Sequence, residues 1–364
     1  MRWLRRLWAG ENPILVPVVA VVLSFVVVGI VLAATGRNPF YAYYQFLVGS
    51  FGSVYNTTDT LSRMIPLAIT GVAFVIGARC SIFNLGIEGQ LLVGALAAAI
   101  AGYAIKLPPV VHVLFMLLVG TLVGGLFSLI PAWLKAYRGV NEILSTIMIN
   151  YPAFYLVHYL TVKKLQAPGV VPATPFIQKT AELPILMTGT RLHAGILIAV
   201  ALPFLAYFFL WRTVLGYELR AVGINPQAAR YHGIPVERRM MLAFFISGCL
   251  AGLGGAVEIA GIHHRFLDQF SPGYGYDAAA ISMLGLAHPF GAMAGALLFG
   301  ALKTGNLQMA VSSNIPRQLV SLIQGIVIIF LAGQNILRAG LRRIVPEAHE
   351  EEPSGLATRH RIRA

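Results

Sequence analysis

The sequence predicts an all-α polytopic membrane protein of about ten transmembrane helices. Three observations carry that expectation. Of its 364 residues 57% are hydrophobic and only 11% are charged, where a soluble domain carries roughly 25% charged residues. Several apolar runs reach or approach the ~20 residues a helix needs to cross the hydrocarbon. Basic clusters fall at 2–6, 212–239 and 338–343, spaced as cytoplasmic loops that set topology. Alternating ten-residue strands are absent, which argues against a β-barrel. The net charge of +13 reads as topogenic Arg and Lys and not as a nucleic-acid surface. Cys80 and Cys249 lie in or beside apolar runs and read as small core residues without a disulfide.

The elements follow in order. Residues 1–12 form a cytoplasmic N-terminus. The uncharged run 13–35 exceeds the 7–15 residues of a signal-peptide core and reads as an uncleaved first helix running outward. The aromatic stretch NPFYAYYQFLVGSF suits an outer interface, where Tyr and Phe settle. Helix 2 (about 61–78) returns to Arg79. A short helix 3 (about 88–104) leads out to KLPP, and helix 4 (about 110–134) returns to LKAYR. Helix 5 (about 142–162) goes out to the Pro-rich loop KKLQAPGVVPATP, and helix 6 (about 193–211) comes back. After the inner loop 212–239, helix 7 (about 240–261) leads to HHRFLDQFSPGYGYD outside. Two short pieces, about 277–287 and 289–303, are split by His288-Pro289. Helix 10 (about 316–337) returns to RAGLRR, and the tail 338–364 reads as cytoplasmic and disordered.

Both halves are interrupted at matching places, by RCSIFNLGIEGQLLVG (79–94) and by Gly285 to Gly291. Short, Gly/Pro-interrupted segments in corresponding positions point to a transport pathway between structural repeats, so an internal repeat is inferred. Gly120 and Gly124, Gly248 and Gly252, and Gly291 and Gly295 have the small-xxx-small spacing that lets helices approach closely. They predict a tight bundle and no function.

Enzyme motifs fail on inspection. In GALLFGALKTG, Lys303 does not directly follow the second glycine, as a phosphate-binding loop requires. His263-His264 lacks a second pair of suitably spaced metal ligands. The acidic residues at depth are Glu88 and Glu258, and a charge there is costly enough to imply a role. Asn84, four residues before Glu88, would share its helix face. Asn84, Glu88, Gln90 and Glu258 are therefore the candidate pathway residues, with a structural hydrogen-bond network as the competing reading. None is a fixed cation, so a neutral solute is expected. In the inner loop, Asn225 is a good N-cap and Pro226 suits the first helical position. Gly233 would end the helix, and Gly223 would mark a turn if its φ is positive. A short helix over about 226–232, carrying Ala228 and Ala229 and capped at both ends, reads as a docking knob for another protein.

ARCSIFNLGIEGQLLVGALAAA, LRAVGINPQAARYHGIPVERRMMLAFFISGCLAGLGGAVEIAG and GYGYDAAAISMLGLAHPFGAMAGALLFGAL, in that order, resemble permeases of the ABC importers for nucleosides and simple sugars. The resemblance covers roughly residues 13–337, which it makes the permease domain. Sugar permeases of the wider superfamily carry a GGIDLSVG-like segment where this chain has FNLGIEGQ, a departure that favours the nucleoside branch. The resemblance implies a second, homologous permease, a cytoplasmic ATP-binding subunit and an extracytoplasmic substrate-binding lipoprotein, in a bacterial inner membrane with both termini cytoplasmic. It implies that residues 216–239, including Gly223, Asn225, Pro226, Ala228, Ala229 and Gly233, form the coupling region docked on the ATPase. ATP and Mg would be bound by that partner, with no cofactor in this chain. The competing class is a stand-alone proton-coupled secondary transporter in which Glu88 and Glu258 relay protons.

Overall fold

The computed structural model describes residues 15–313 together with 325, 326, 328–330 and 333. The expected N-terminal segment 1–12 and tail 338–364, and most of the expected helix over 316–337, lie outside the described residues. Twelve α-helices follow one another among the described residues. We number them α1 (Leu15–Ala34), α2 (Pro39–Phe51), α3 (Val54–Arg79), α4 (Ile87–Ala104), α5 (Pro109–Arg138) and α6 (Glu142–Tyr159). Then come α7 (Gly195–Arg212), α8 (Val214–Ile224), α9 (Pro226–Tyr231), α10 (Val236–Glu258), α11 (Tyr274–Leu284) and α12 (Pro289–Ser312). α6 and α10 each end in a π-helical turn, at Leu160–Lys164 and Ile259–His263. Among the described residues six helices are long and apolar enough to cross a membrane: α3, α4, α5, α7, and α6 and α10 with their extensions. The protein is therefore an all-helical, multi-pass membrane protein.

α10 is the hub, packed on α5, α4 and α3. The glycine spacings explain how closely. A Cβ on Gly252 would overlap the carbonyl oxygen of Gly120, and one on Gly124 would stand 2.6 Å from Gly248 O and 2.7 Å from Gly252 Cα. α5, α10 and α4 thus meet backbone to backbone, the tight bundle the sequence predicts. Cys80 and Cys249 are free, as expected.

The structure corrects several boundaries. Within NPFYAYYQFLVGSF, Pro39–Phe51 is helical, started by Asn38, whose side chain accepts from Phe40 N and Tyr41 N. Its buried residues Ala42, Phe46, Gly49 and Ser50 form one helical stripe against α12, where Ser50 donates to Ala301 O at 2.9 Å. α3 begins at Val54, well before the expected 61, because Ser53 caps it by accepting from Asn56 N. α12 runs on to Ser312 instead of ending near 303. The segment 212–239 holds a second helix, α8, capped by Thr213. Asn84 does not share a helix face with Glu88, because α4 starts only at Ile87.

Candidate functional site

Two chain breaks, one ending α3 and one ending α11, organise the site. They close alike: Ile82 N donates to Gly77 O at 3.0 Å, and Ala287 N donates to Ser282 O at 2.8 Å. In each, one bond spans five residues back across a left-handed stretch, the geometry that ties off a helix C-terminus. The left-handed residues are Ser81 (φ 54) in the first break and Leu286 (φ 55) and Ala287 (φ 50) in the second.

After the first break the chain returns alongside α3, with Phe83 packed edge-on against Phe74. Backbone polar groups at membrane depth must be satisfied by protein or by a wet cavity, and side chains from α6 do this. Thr146 Oγ1 accepts from Leu85 N at 3.2 Å; Asn150 donates to Leu85 O at 2.9 Å and accepts from Gly89 N at 2.9 Å. Asn84 and Gln90 are fully buried and face each other in reciprocal bonds of 2.9 and 3.2 Å. Asn84 also donates to Ser247 Oγ at 3.0 Å on α10 and accepts from Gly86 N at 3.1 Å. Every donor and acceptor site of its amide is engaged, so Asn84 clamps the break to α10.

Glu88 sits one residue into α4, against the start of α11. Its Oε2 accepts from Gly275 N at 2.6 Å, and a Cβ on Gly275 would overlap Glu88 N. α11 begins at Tyr274 after the left-handed Gly273. A carboxylate thus occupies the electropositive N-terminus of this short helix. Glu88 also lines a cavity of about 520 Å³ with Tyr151, Phe154, Tyr155 and His158 of α6, Tyr276 of α11, and Asp268 and Ser271 of the connecting loop. His158 Nδ1 meets Asp268 Oδ2 at 2.8 Å across it. The segment after α6 covers this region: Thr174 N donates to Phe266 O at 2.9 Å and Ile177 N to His264 O at 2.8 Å. A second cavity, about 690 Å³ and mostly apolar, lies at the other end of α11 against Leu284, Leu286, Arg79 and His288. α11 therefore stands between two cavities.

Glu258 is not on either cavity wall. It is buried, accepts from the Tyr274 hydroxyl at 3.3 Å and lies 3.6 Å from His263 Nε2. Nearby, Lys303 of α12 pairs with Asp277 of α11 at 2.8 Å and lies over the Tyr274 ring at 5.6 Å. Asp277 and Lys303 are an acid–base pair that sequence reasoning missed. Asp277 falls in the first turn of a short apolar segment and Lys303 inside the next, a pattern readable as a helix–helix pair. Among the described residues no group of three or more His, Cys, Asp and Glu side chains is placed to hold a metal ion.

The α8–α9 hairpin is a built element. Asn225 Oδ1 accepts from Gln227 N and Ala228 N, both at 3.0 Å, and Gly233 (φ 80) ends the helix as Ile234 N reaches back to Ala229 O at 3.1 Å. Ion pairs Arg230–Glu237 and Arg239–Glu218 brace it. Ala229, Leu219 and Val222 pack with Cys80, Ile82, Ala132 and Phe244 in one apolar cluster, while Ile224 and Tyr231 at the tip are 86% and 92% exposed. Gly223 does not have a positive φ; it lies inside α8, and its glycine is needed because a Cβ would overlap Arg79 O.

A helical membrane bundle with two chain breaks, a short helix between two cavities and a braced hairpin with an exposed tip has the build of a transport permease. The family described as branched-chain amino acid transport system / permease component matches residues 56–332, and the chain belongs to it. Among curated relatives, the guanosine ABC transporter permease protein NupP of Bacillus subtilis is 34% identical over 335 residues, 89% of this chain and 94% of that protein. The glucose ABC transporter permease protein TsgB13 of Haloferax volcanii is 35% identical over 326 residues, 86% of each. The nucleoside ABC transporter permease protein NupB of Lactococcus lactis is 31% identical over 342 residues, 90% of this chain and 93% of that protein. The chain is accordingly a non-catalytic permease subunit of the ABC-transporter type, with ATP hydrolysis in a separate subunit.

Proposed function

We propose that this chain forms the translocation pathway of an ATP-driven importer for a neutral, hydroxyl-rich solute, with nucleosides ahead of simple sugars. The observation that carries the reading is the α8–α9 hairpin, capped at both ends, braced by ion pairs and seated on the first chain break. Such an element carries a push from a docked ATPase to the pathway, with Gly223, Asn225, Pro226, Ala228, Ala229 and Gly233 as its structural parts. Ten crossings with both termini cytoplasmic, in the bacterial inner membrane, fit the basic clusters. The partners would be a second homologous permease, an ATP- and Mg-binding subunit and an extracytoplasmic binding lipoprotein. Two of the relatives come as named pairs in one organism, NupP with NupQ and NupB with NupC, which supports a second permease here.

Two features favour a neutral solute. The N-terminus of α11, a natural anion site, already holds the Glu88 carboxylate, and the partly buried cation Lys303 is already paired with Asp277. An anion would have to displace an internal carboxylate. Tyrosine hydroxyls and the carboxylates of Glu88 and Asp268 offer contacts to hydroxyl groups, and the aromatic wall of the cavity offers a face to a planar base. In this reading Glu88 lines the pathway, Asn84 and Gln90 hold its wall in place, and Glu258 stands behind it. A proton-coupled secondary transporter is not favoured, since the relatives above carry the names of ABC transporter permeases. Uptake of labelled nucleoside, galactose and ribose-5-phosphate by cells expressing this chain together with the proposed partner subunits tests the solute class. Nucleoside should be preferred, and preferred uptake of the phosphorylated compound refutes the neutral-solute reading.

A further inference from the structure

We propose that Arg79 is a positioning residue, the joint through which the docking hairpin sets the second chain break and, with it, α11. The proposal rests on the importer reading above. Arg79 is the last residue of α3, and its two ends face different parts of the machine. Its carbonyl oxygen is the seat of Gly223, where even one methyl group would overlap it. The next contact is also direct: the Ser81 hydroxyl donates to Gly223 O. Its guanidinium reaches the second break, with Nε donating to Ala287 O at 2.7 Å and Nη2 to Leu286 O at 3.3 Å. Both acceptors belong to the left-handed residues that follow α11, so the fork holds the strained turn at the electronegative end of that helix. The guanidinium lies over Trp211 of α7 at 5.1 Å, and Trp211 in turn meets the His288 ring at 5.1 Å.

Among the described residues Arg79 forms no ion pair with a carboxylate. Its charge is directed at two backbone oxygens, a role that a planar fork fills and a point charge does not. Backbone-to-backbone contact at Gly223 leaves no soft side chain to absorb a shift of the hairpin. Movement of α8 is therefore passed to Arg79, and through its fork to the C-terminal end of α11. Because α11 separates the Glu88 cavity from the Arg79 cavity, displacing that end changes access to both. An arginine serving only to anchor topology would need neither the fork nor the ring beneath it.

The test uses the complete complex, permeases with ATPase and binding lipoprotein, in proteoliposomes with labelled nucleoside. Solute transported per ATP hydrolysed is measured for the wild type, Arg79→Gln and Arg79→Lys. If the wild-type chain brings down no ATPase, the importer reading fails independently of Arg79. With the complex in hand, Arg79→Gln should keep the bound ATPase turning over while transport per ATP falls about tenfold, within the usual span of coupling between sites. Arg79→Lys should recover part of the loss, since it keeps one donor but not the fork. A ratio equal to wild type in both variants overturns the proposal. So does a proportional loss of ATPase and transport, which would make Arg79 a structural staple only. If Arg79→Gln does not assemble, Trp211→Leu removes the ring under the guanidinium and should lower the same ratio about threefold; an unchanged ratio overturns the joint.

Discussion

Replacing Glu88 by glutamine and by alanine separates its anchoring role from its charge. The carboxylate is 2% exposed and accepts from Gly275 N at 2.6 Å at the N-terminus of α11. A hydrogen bond to a charged group contributes about 1.5–3 kcal/mol and a neutral one about 0.5–1.5. A carboxylate at a helix N-terminus adds roughly 0.3–1 kcal/mol. Glutamine keeps an acceptor oxygen in place and removes the cost of burying a charge, so Glu88→Gln should cost no more than about 1 kcal/mol. Alanine also strands the Gly275 N–H. The gap cannot collapse, because Gly275 is already jammed against the Glu88 backbone. Glu88→Ala should therefore cost about 3–5 kcal/mol in all. Thermal unfolding of the purified complex in detergent ranks the two, and uptake is measured on the same variants. If charge acts on the solute as well, both lose uptake while the complex still assembles. Equal stability of the alanine and glutamine variants would refute the anchoring by Gly275.

Four further outcomes are expected. Asn84→Ala breaks the Gln90, Ser247 and Gly86 bonds and should lower stability by about 2 kcal/mol at the modest value of interhelical hydrogen bonds in membranes; an unchanged melting temperature counts against the clamp. Gly252→Ala should cost about 1–3 kcal/mol by overpacking against Gly120 O, whereas Gly254→Ala, whose Cβ would find its nearest neighbour at 3.4 Å, should be neutral; equal effects in a thermal melt would contradict the close helix packing. Asn225→Ala should weaken α9 by about 1 kcal/mol and reduce uptake without reducing the amount of protein in the membrane. Alkaline-phosphatase fusions at Ala173 should be active and those at Gln227 inactive, and the reverse pattern ends the proposed topology.

Hydropathy located the six described helices that are long and apolar enough to cross a membrane, because transfer into hydrocarbon is a local quantity, summed over a window of neighbouring residues. Capping is equally local, so Asn225, Pro226 and Gly233 announced the short helix Pro226–Tyr231 from their spacing alone. Glycines and polar residues likewise marked both chain breaks, since an interrupted apolar run is visible without knowing what lies beside it. The aromatic stretch after the first helix showed a composition that suits an interface but not the stripe of Ala42, Phe46, Gly49 and Ser50, which is buried only once α12 is there to cover it. Gly223 shows the same limit. Sequence allows either a positive φ or a close approach, and only the carbonyl of Arg79 packed against it decides for the second. Thr146 and Asn150, which satisfy the backbone of the first break, lie some sixty residues from it in sequence, and Arg79 lies 208 residues from Ala287. Pairings of that kind depend on which helix faces meet, and the energy that selects them belongs to the packed bundle and to no segment of the chain.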